Sequence, residues 1–147
     1  MTVNAATAVN GDAGIDTITI TGATATFAGN VDSTGGAEND IILADGTAKV
    51  VLSGAKNYTT AITSSTDSVG TVQLTGVANI IGSIGTSPVK VATLDVDQSS
   101  SITGSVFVNA TTIADGKVLT FDGGAAQTVT GTINSDSGAT EIGRAHV

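Results

Sequence analysis

The sequence predicts an all-β fold, in the form of a parallel β-helix (a solenoid) with coils of about 22 residues. Three observations support this prediction. The segments 49–62, 71–84 and 93–106 repeat one phrase at a fixed spacing of 22 residues. Within each phrase apolar and polar residues alternate, as in a strand with one buried face. The spacing is also too short for a βαβ unit, which needs about 30 residues.

Four apolar positions keep one register through the three phrases. Coils stacked at the sheet spacing of about 4.8 Å would place equivalent residues directly above one another. We therefore expect four internal columns of side chains. They contain Val50, Val72 and Leu94; Leu52, Leu74 and Val96; Tyr58, Ile80 and Ile102; and Ile62, Ile84 and Val106.

The spacing of small and polar residues refines the picture of one coil. Thr60, Gly82 and Gly104 share the parity of their apolar neighbours, so we expect them to point inward at a cramped corner. Asn57 and Asn79 are also 22 residues apart, and stacked Asn side chains can hydrogen-bond along a column. A β-sandwich is the alternative fold, because its strands recur every 8–12 residues. The fixed period favours the solenoid, since a sandwich needs no repeat.

The chain divides into a polar lead-in, residues 1–15, and a solenoid repeat domain, residues 16–140. The domain begins with an imperfect repeat. There we interpret 18–20 as the first strand and 27–31 as the apolar-x-Gly-x-apolar element. A loop, a short strand at 41–43 and a turn at Asp45-Gly46 lead into the regular coils.

The later part of the domain is less regular. We interpret 107–116 as an extra segment, followed by a fifth copy with strands at 119–121 and 129–133. Solenoids accept insertions as loops on one face. The candidate display loops are therefore Asp32 to Asp40 and Val108 to Gly116.

The last seven residues, 141–147, break the composition. They hold the only Arg, Arg144, and the only His, His146. The segment EIGRAHV also resembles the in-frame translation of a common sequencing adapter. We therefore predict adapter read-through here, and a native chain that continues into further repeats.

Bulk composition excludes several classes of function. The net charge of −8 argues against nucleic acid and anionic membrane surfaces, both of which select basic proteins. No run of about 18 apolar residues is present, so we expect no membrane insertion by this segment. The absence of Cys excludes disulfides and thiolate metal sites.

Catalytic constellations are sparse. A Ser/His or Cys/His pair needs a base, and the single His lies in the suspect tail. Asp95 and Asp97 flank an inward-facing Val96, and two carboxylates are the minimum for glycoside hydrolysis. A solvated outer face beside Gln73 and Thr75 explains the same residues. We assign no catalytic residue and expect a non-enzymatic protein.

Two segments resemble degenerate RTX calcium-binding nonapeptides, 11–18 and 35–42. Calcium favours carboxylate and carbonyl oxygens, so Asp16 and Asp40 would be the ligands. Gly/Asp-rich turns preceding strands explain the same residues. No other metal or cofactor is expected.

The phrases TVQLTGVANIIGSIGT, 71–86, and VATLDV, 91–96, resemble the passenger repeats of bacterial autotransporters. They are most similar to the rickettsial outer-membrane surface antigens, over roughly 16–138. The resemblance implies a right-handed β-helix on the cell surface, exported through a C-terminal β-barrel and used in adhesion. The Gly/Asp segments are also similar to RTX and S-layer β-strand-repeat proteins.

The function expected from this resemblance is a scaffold or adhesin on the outside of the bacterial outer membrane. It would display loops to a host-cell or matrix protein or glycan. Two alternatives remain: a carbohydrate-active enzyme on the same fold, using Asp95 and Asp97, and a calcium-dependent S-layer module.

Overall fold

The regular structure of the chain consists of β-strands that pair in parallel. A computed structural model describes residues 2–9, 13–14, 17–32, 40–136 and 141–144. Every strand pairing within these ranges is parallel. A sandwich is built from antiparallel sheets, so the alternative fold does not apply.

The strands follow one another in coils, each of which passes through up to three strand positions. In chain order the strands of the first four coils are β1 Thr2–Val3, β2 Thr7–Val9, β3 Ala13–Gly14; β4 Ile18–Ile20, β5 Thr24–Phe27, β6 Val31–Asp32; β7 Asp40–Leu43, β8 Lys49–Leu52, β9 Asn57–Thr59; and β10 Ala61–Ser64, β11 Val69–Leu74, β12 Asn79–Ile80. The remaining strands are β13 Val91–Val96, β14 Ser100–Ile102, β15 Val106–Ile113, β16 Val118–Phe121, β17 Val129–Ser135 and β18 Glu141–Arg144.

Three parallel sheets form the sides of the stack. The first sheet has the order β1-β4-β7-β10, and single bridges from Ile62 to Ile84 and from Ile84 to Val106 continue it. The second has the order β17-β15-β13-β11-β8-β5-β2, and the third β18-β16-β14-β12-β9-β6-β3. The chain visits the sheets in rotation and adds one coil per turn. The predicted parallel solenoid is confirmed.

All four predicted columns are present in the core. Val50 pairs with Val72 and Val72 with Leu94, and the Leu52, Tyr58 and Ile62 columns keep the same 22-residue register. All twelve side chains are fully buried. Eleven of the twelve are aliphatic, and burying one aliphatic side chain contributes about 1.5–3 kcal/mol, so the columns supply the main stabilising term.

The corner between the third and first sheets explains the small residues in the phrase. Thr60 is buried, as predicted. The Gly104 amide donates a hydrogen bond to the Gly82 carbonyl oxygen at 3.1 Å. A Cβ added to Gly104 would overlap the carbonyl group of Gly82, and one added to Gly82 would overlap that of Thr60. The backbones of successive coils therefore come too close for a side chain.

Tyr58 is the only Tyr, and its ring fills one position of a buried column. Its hydroxyl donates to the Phe27 carbonyl oxygen at 3.1 Å and accepts from the Gly54 amide at 3.2 Å. The buried hydroxyl is thus satisfied, which removes most of the cost of burying it.

The interpretation of the first repeat is wrong in its register. Strand β4 lies in the first sheet, beside β7, and is not the equivalent of β8. Ala25 and Phe27 take the positions of Val50 and Leu52, and Val31 pairs with Tyr58. The turn after Phe27 is shorter than the turn after Leu52. The spacing of apolar residues in the first repeat therefore differs from that in the regular coils, and its strands were assigned to the wrong sheets.

The interpretation of 107–133 is wrong for the same kind of reason. The segment proposed as a display loop, Val108 to Gly116, is largely strand β15, and Val108 is fully buried. Strand β16 pairs with β14 in the third sheet, and Val129 pairs with Val106. The turn 85–90 separates Ile84 from β13, whereas β15 crosses the same corner without a turn.

Residues at both ends of the chain extend the sheets. The proposed polar lead-in contributes β1, β2 and β3, and the tail contributes β18, which pairs with β16. In the part of the chain that the structure describes, no helix has the length and apolarity to cross a membrane.

We predict that Gly104→Ala lowers the free energy of unfolding by about 1–3 kcal/mol, because the added methyl group must push two coils apart. The control is Gly46→Ala, where an added Cβ meets no atom within 4 Å. It should change stability by less than about 0.5 kcal/mol. Urea denaturation of both variants measures the difference, and equal stabilities would contradict the close packing.

Candidate functional site

An acidic patch lies on the outer face of the second sheet. We define it as Asp95, Asp97 and Asp136. Asp95 is in register with Gln73, and the Gln73 side-chain amide donates to the Asp97 carboxylate at 2.7 Å. The backbone ladder places Asp136 two coils beyond Asp97, at about 10 Å along the stack.

The charges of the patch interact through the partly buried Asp95. Burial raises the pKa of the Asp95 carboxyl, the Asp97 charge raises it further, Lys49 lowers it and Asp136 raises it. A carboxyl whose pKa is raised by its surroundings can donate a proton closer to neutral pH than a free aspartate. The pair predicted from the sequence is therefore outward-facing, as expected, and electrostatically coupled.

A ladder of polar side chains runs along the outer face of the third sheet. We call Asn57, Asn79 and Ser101 the amide ladder. The Asn79 amide donates to the Asn57 side-chain oxygen at 3.0 Å, and the Ser101 hydroxyl donates to that of Asn79 at 2.9 Å. The Asn57 backbone amide in turn donates to the side chain of Asn30 at 3.1 Å. The predicted hydrogen-bonding between stacked Asn residues is confirmed.

Two further aspartates hold turns. The Asp45 carboxylate accepts from the backbone amides of Thr47 and Ala48, and from the Thr47 hydroxyl, which chiefly lowers the pKa of Asp45. Asp67 accepts from the Lys90 backbone amide at 2.8 Å, and this bond chiefly lowers its pKa. Each carboxylate satisfies backbone donors that the strands leave unpaired, so both residues have a structural role.

The two calcium candidates fall largely outside the described residues. Asp16 lies outside them, and Asp40 is described only as the first backbone position of β7. Among the described residues, no group of three or more Asp, Glu, His or Cys side chains is placed to share a metal ion. Calcium binding by Asp16 and Asp40 stays a prediction.

The candidate display loops have different outcomes. The first, Asp32 to Asp40, is described only at its ends, in β6 and β7. The second, Val108 to Gly116, is a strand through Ile113 and has no loop before Ala114. Among the described residues, the outer faces of the sheets are the candidate display surfaces that remain.

Sequence reasoning missed two members of these sites. Ser101 joins the amide ladder at 22 residues beyond Asn79, so the same period would have found it. Between Asp97 and Asp136 lies a coil that lacks a turn at its first corner and is therefore shorter than the others. The 22-residue period consequently does not predict that Asp136 stacks above Asp97.

Comparisons with known proteins provide no identification. No protein-family model, curated protein or solved structure matches this chain.

We predict that Asp95→Asn raises the melting temperature at pH 7. The folded state raises the pKa of Asp95, so it binds the proton more tightly than the unfolded chain does. The ionised carboxyl is therefore destabilising at neutral pH, by at most about 1 kcal/mol at this solvated site. That penalty fades as the pH falls through the pKa of Asp95.

Thermal melts from pH 7 to about 4 test this prediction. The gap between Asp95→Asn and the wild type should shrink as the pH falls. Asp122→Asn is the control, because it removes one exposed carboxylate at the end of the third sheet. A variant less stable than the wild type at pH 7, or an equal gain from Asp122→Asn, would contradict the account.

Proposed function

We propose that this chain is part of a non-enzymatic scaffold or adhesin of the bacterial cell surface. The observation that carries the proposal is the register of the coils, which places outward-facing positions one above another as regularly as inward-facing ones. A stack held by continuous parallel ladders keeps those outer side chains at fixed spacing. Similarity of the phrases 71–86 and 91–96 to autotransporter passenger repeats supports the location.

The amide ladder is the surface we propose for recognition. Its side chains are uncharged donors and acceptors on a rigid sheet, so little conformational entropy is lost when they bind a partner. Amides and hydroxyls complement the hydroxyl groups of neutral sugars. The net charge of −8 opposes polyanionic partners. We therefore propose a neutral extracellular glycan as the partner, in preference to an acidic glycan or a basic protein surface.

The coupled pair of Asp95 and Asp97 favours a second candidate, a carbohydrate-active enzyme. Glycoside hydrolysis uses one carboxyl with a raised pKa as general acid and a second carboxylate beside it. The raised pKa of Asp95 next to Asp97 fits the first of these roles. In this candidate the same class of ligand would be cleaved on the second sheet.

Binding to a panel of immobilised neutral and acidic glycans and matrix proteins tests the first proposal. The double variant Asn57→Ala/Asn79→Ala should bind a neutral glycan at least about tenfold more weakly, a loss of about 1.4 kcal/mol. The matched control is Thr71→Ala/Thr93→Ala, which truncates a paired outward position on the second sheet. It should bind like the wild type.

Three outcomes separate the candidates. Retained binding in the ladder variant, at an unchanged melting temperature, would contradict recognition by the ladder. If the chain binds only matrix proteins on the panel, its partner is a matrix protein and not a glycan. Release of reducing ends that is lost in Asp95→Asn and kept in Asp122→Asn would favour the enzyme.

A further inference from the structure

Three Asp-Gly sequences occur in the chain, and each lies in a connection between strands that the structure describes. They are Asp45-Gly46, Asp115-Gly116 and Asp122-Gly123. In such a sequence the backbone nitrogen of the Gly can attack the side-chain carboxyl carbon of the Asp, because Gly has no side chain to hinder the approach. The three sites share this chemistry, so the surrounding structure decides which of them reacts.

The first site is held by hydrogen bonds to its carboxylate. Asp45 Oδ1 accepts from the backbone amides of Thr47 and Ala48 and from the Thr47 hydroxyl, at 2.8–2.9 Å. These bonds, that of the Thr47 hydroxyl most, lower the pKa of Asp45, and an ionised carboxylate is a poor electrophile. Attack by the Gly46 nitrogen therefore requires the turn to open first.

The third site is held at its glycine. The Gly123 amide donates to the Gln127 side-chain oxygen at 3.2 Å, and the Gln127 amide is itself anchored to two carbonyl oxygens of the preceding coil. A Cβ added to Gly123 would overlap the Thr103 carbonyl oxygen, so the backbone has little room to rotate. The nitrogen that must attack Asp122 is thus engaged and confined.

The second site has neither restraint. Asp115 and Gly116 are exposed, at the centre of a turn that the Lys117 amide closes by donating to the Ala114 carbonyl oxygen at 3.1 Å. Among the described residues, neither the Asp115 carboxylate nor the Gly116 amide has a hydrogen-bond partner. A Cβ added to Gly116 would meet no atom within 4 Å. The two reacting groups are therefore free to approach one another.

We propose that Asp115 is a modification site at which aspartate converts spontaneously to isoaspartate. The Gly116 nitrogen bonds to Cγ of the protonated carboxyl, and the carboxyl hydroxyl leaves with the amide proton as water. A water molecule then opens the resulting five-membered succinimide ring. Attack of this water at Cγ restores aspartate, whereas attack at the backbone carbonyl carbon gives isoaspartate. No oxidation or reduction occurs, and the inference is independent of the glycan proposed above.

The product lengthens one turn of the solenoid. Isoaspartate routes the main chain through its side chain, which adds one backbone carbon between β15 and β16 and leaves a carboxylate on Cα. The strands on both sides are paired with neighbouring coils. The added length therefore falls on the turn 114–117, which joins the second sheet to the third.

Site-by-site peptide mapping of the full chain, aged near pH 7, tests the proposal by mass spectrometry that distinguishes isoaspartate from aspartate. Asp115 should convert at least about fivefold faster than Asp45 or Asp122, the factor by which one hydrogen bond that must first break slows a reaction. In water enriched in heavy oxygen, each conversion should add one heavy oxygen atom at Asp115. In concentrated urea the three sites should convert at similar rates, because local structure no longer protects two of them.

Asp115→Glu is the matched control, because it keeps the charge but would need a larger ring. It should remove the product at this position and leave Asp45 and Asp122 as slow as in the wild type. Conversion at Asp45 or Asp122 as fast as at Asp115 would overturn the proposal. So would an unmodified Asp115 in the folded chain, or the same preference for Asp115 in urea, since selectivity would then come from sequence alone.

Discussion

Stacking of aliphatic side chains in register is the interaction on which the rest of this structure depends. Leu52, Leu74 and Val96 lie in one column because each coil pairs with the next through parallel backbone hydrogen bonds. Side-chain stacking and backbone pairing reinforce one another, because a shift of one residue in the pairing register would turn every apolar side chain outward. The core is thin, so it needs few aromatic residues, and the chain contains only 3% of them.

The same register orders the outside of the molecule. Amides and hydroxyls repeat along the third sheet, and carboxylates cluster where the second sheet nears its end. At the corner that contains Gly104, the backbones of successive coils lie so close together that no side chain fits between them. A regular exterior on a stiff core is the physical basis for proposing a scaffold.

The fold and part of the candidate site could be predicted because a fixed period marks stacked coils. Val50, Val72 and Leu94 were placed correctly from spacing alone, and so was the pairing of Asn57 with Asn79. Prediction failed where a turn changed length. The turn 85–90 has no counterpart in the next coil, where β15 crosses the same corner as a continuous strand, so the pattern that follows was assigned to the wrong sheets. Periodicity records the length of a coil, whereas the length of each turn decides which sheet a strand joins.

Cross-linking between coils tests the stacking most directly, because the chain has no Cys to interfere. Thr71 and Thr93 are paired, partly exposed positions on neighbouring coils. The account predicts that Thr71→Cys/Thr93→Cys closes an intramolecular disulfide under mild oxidation. The pair Thr71→Cys/Asp95→Cys, offset by two residues to about 8 Å, should stay reduced. Failure of the first pair to close, or equally fast closure of both, would contradict the stacked register.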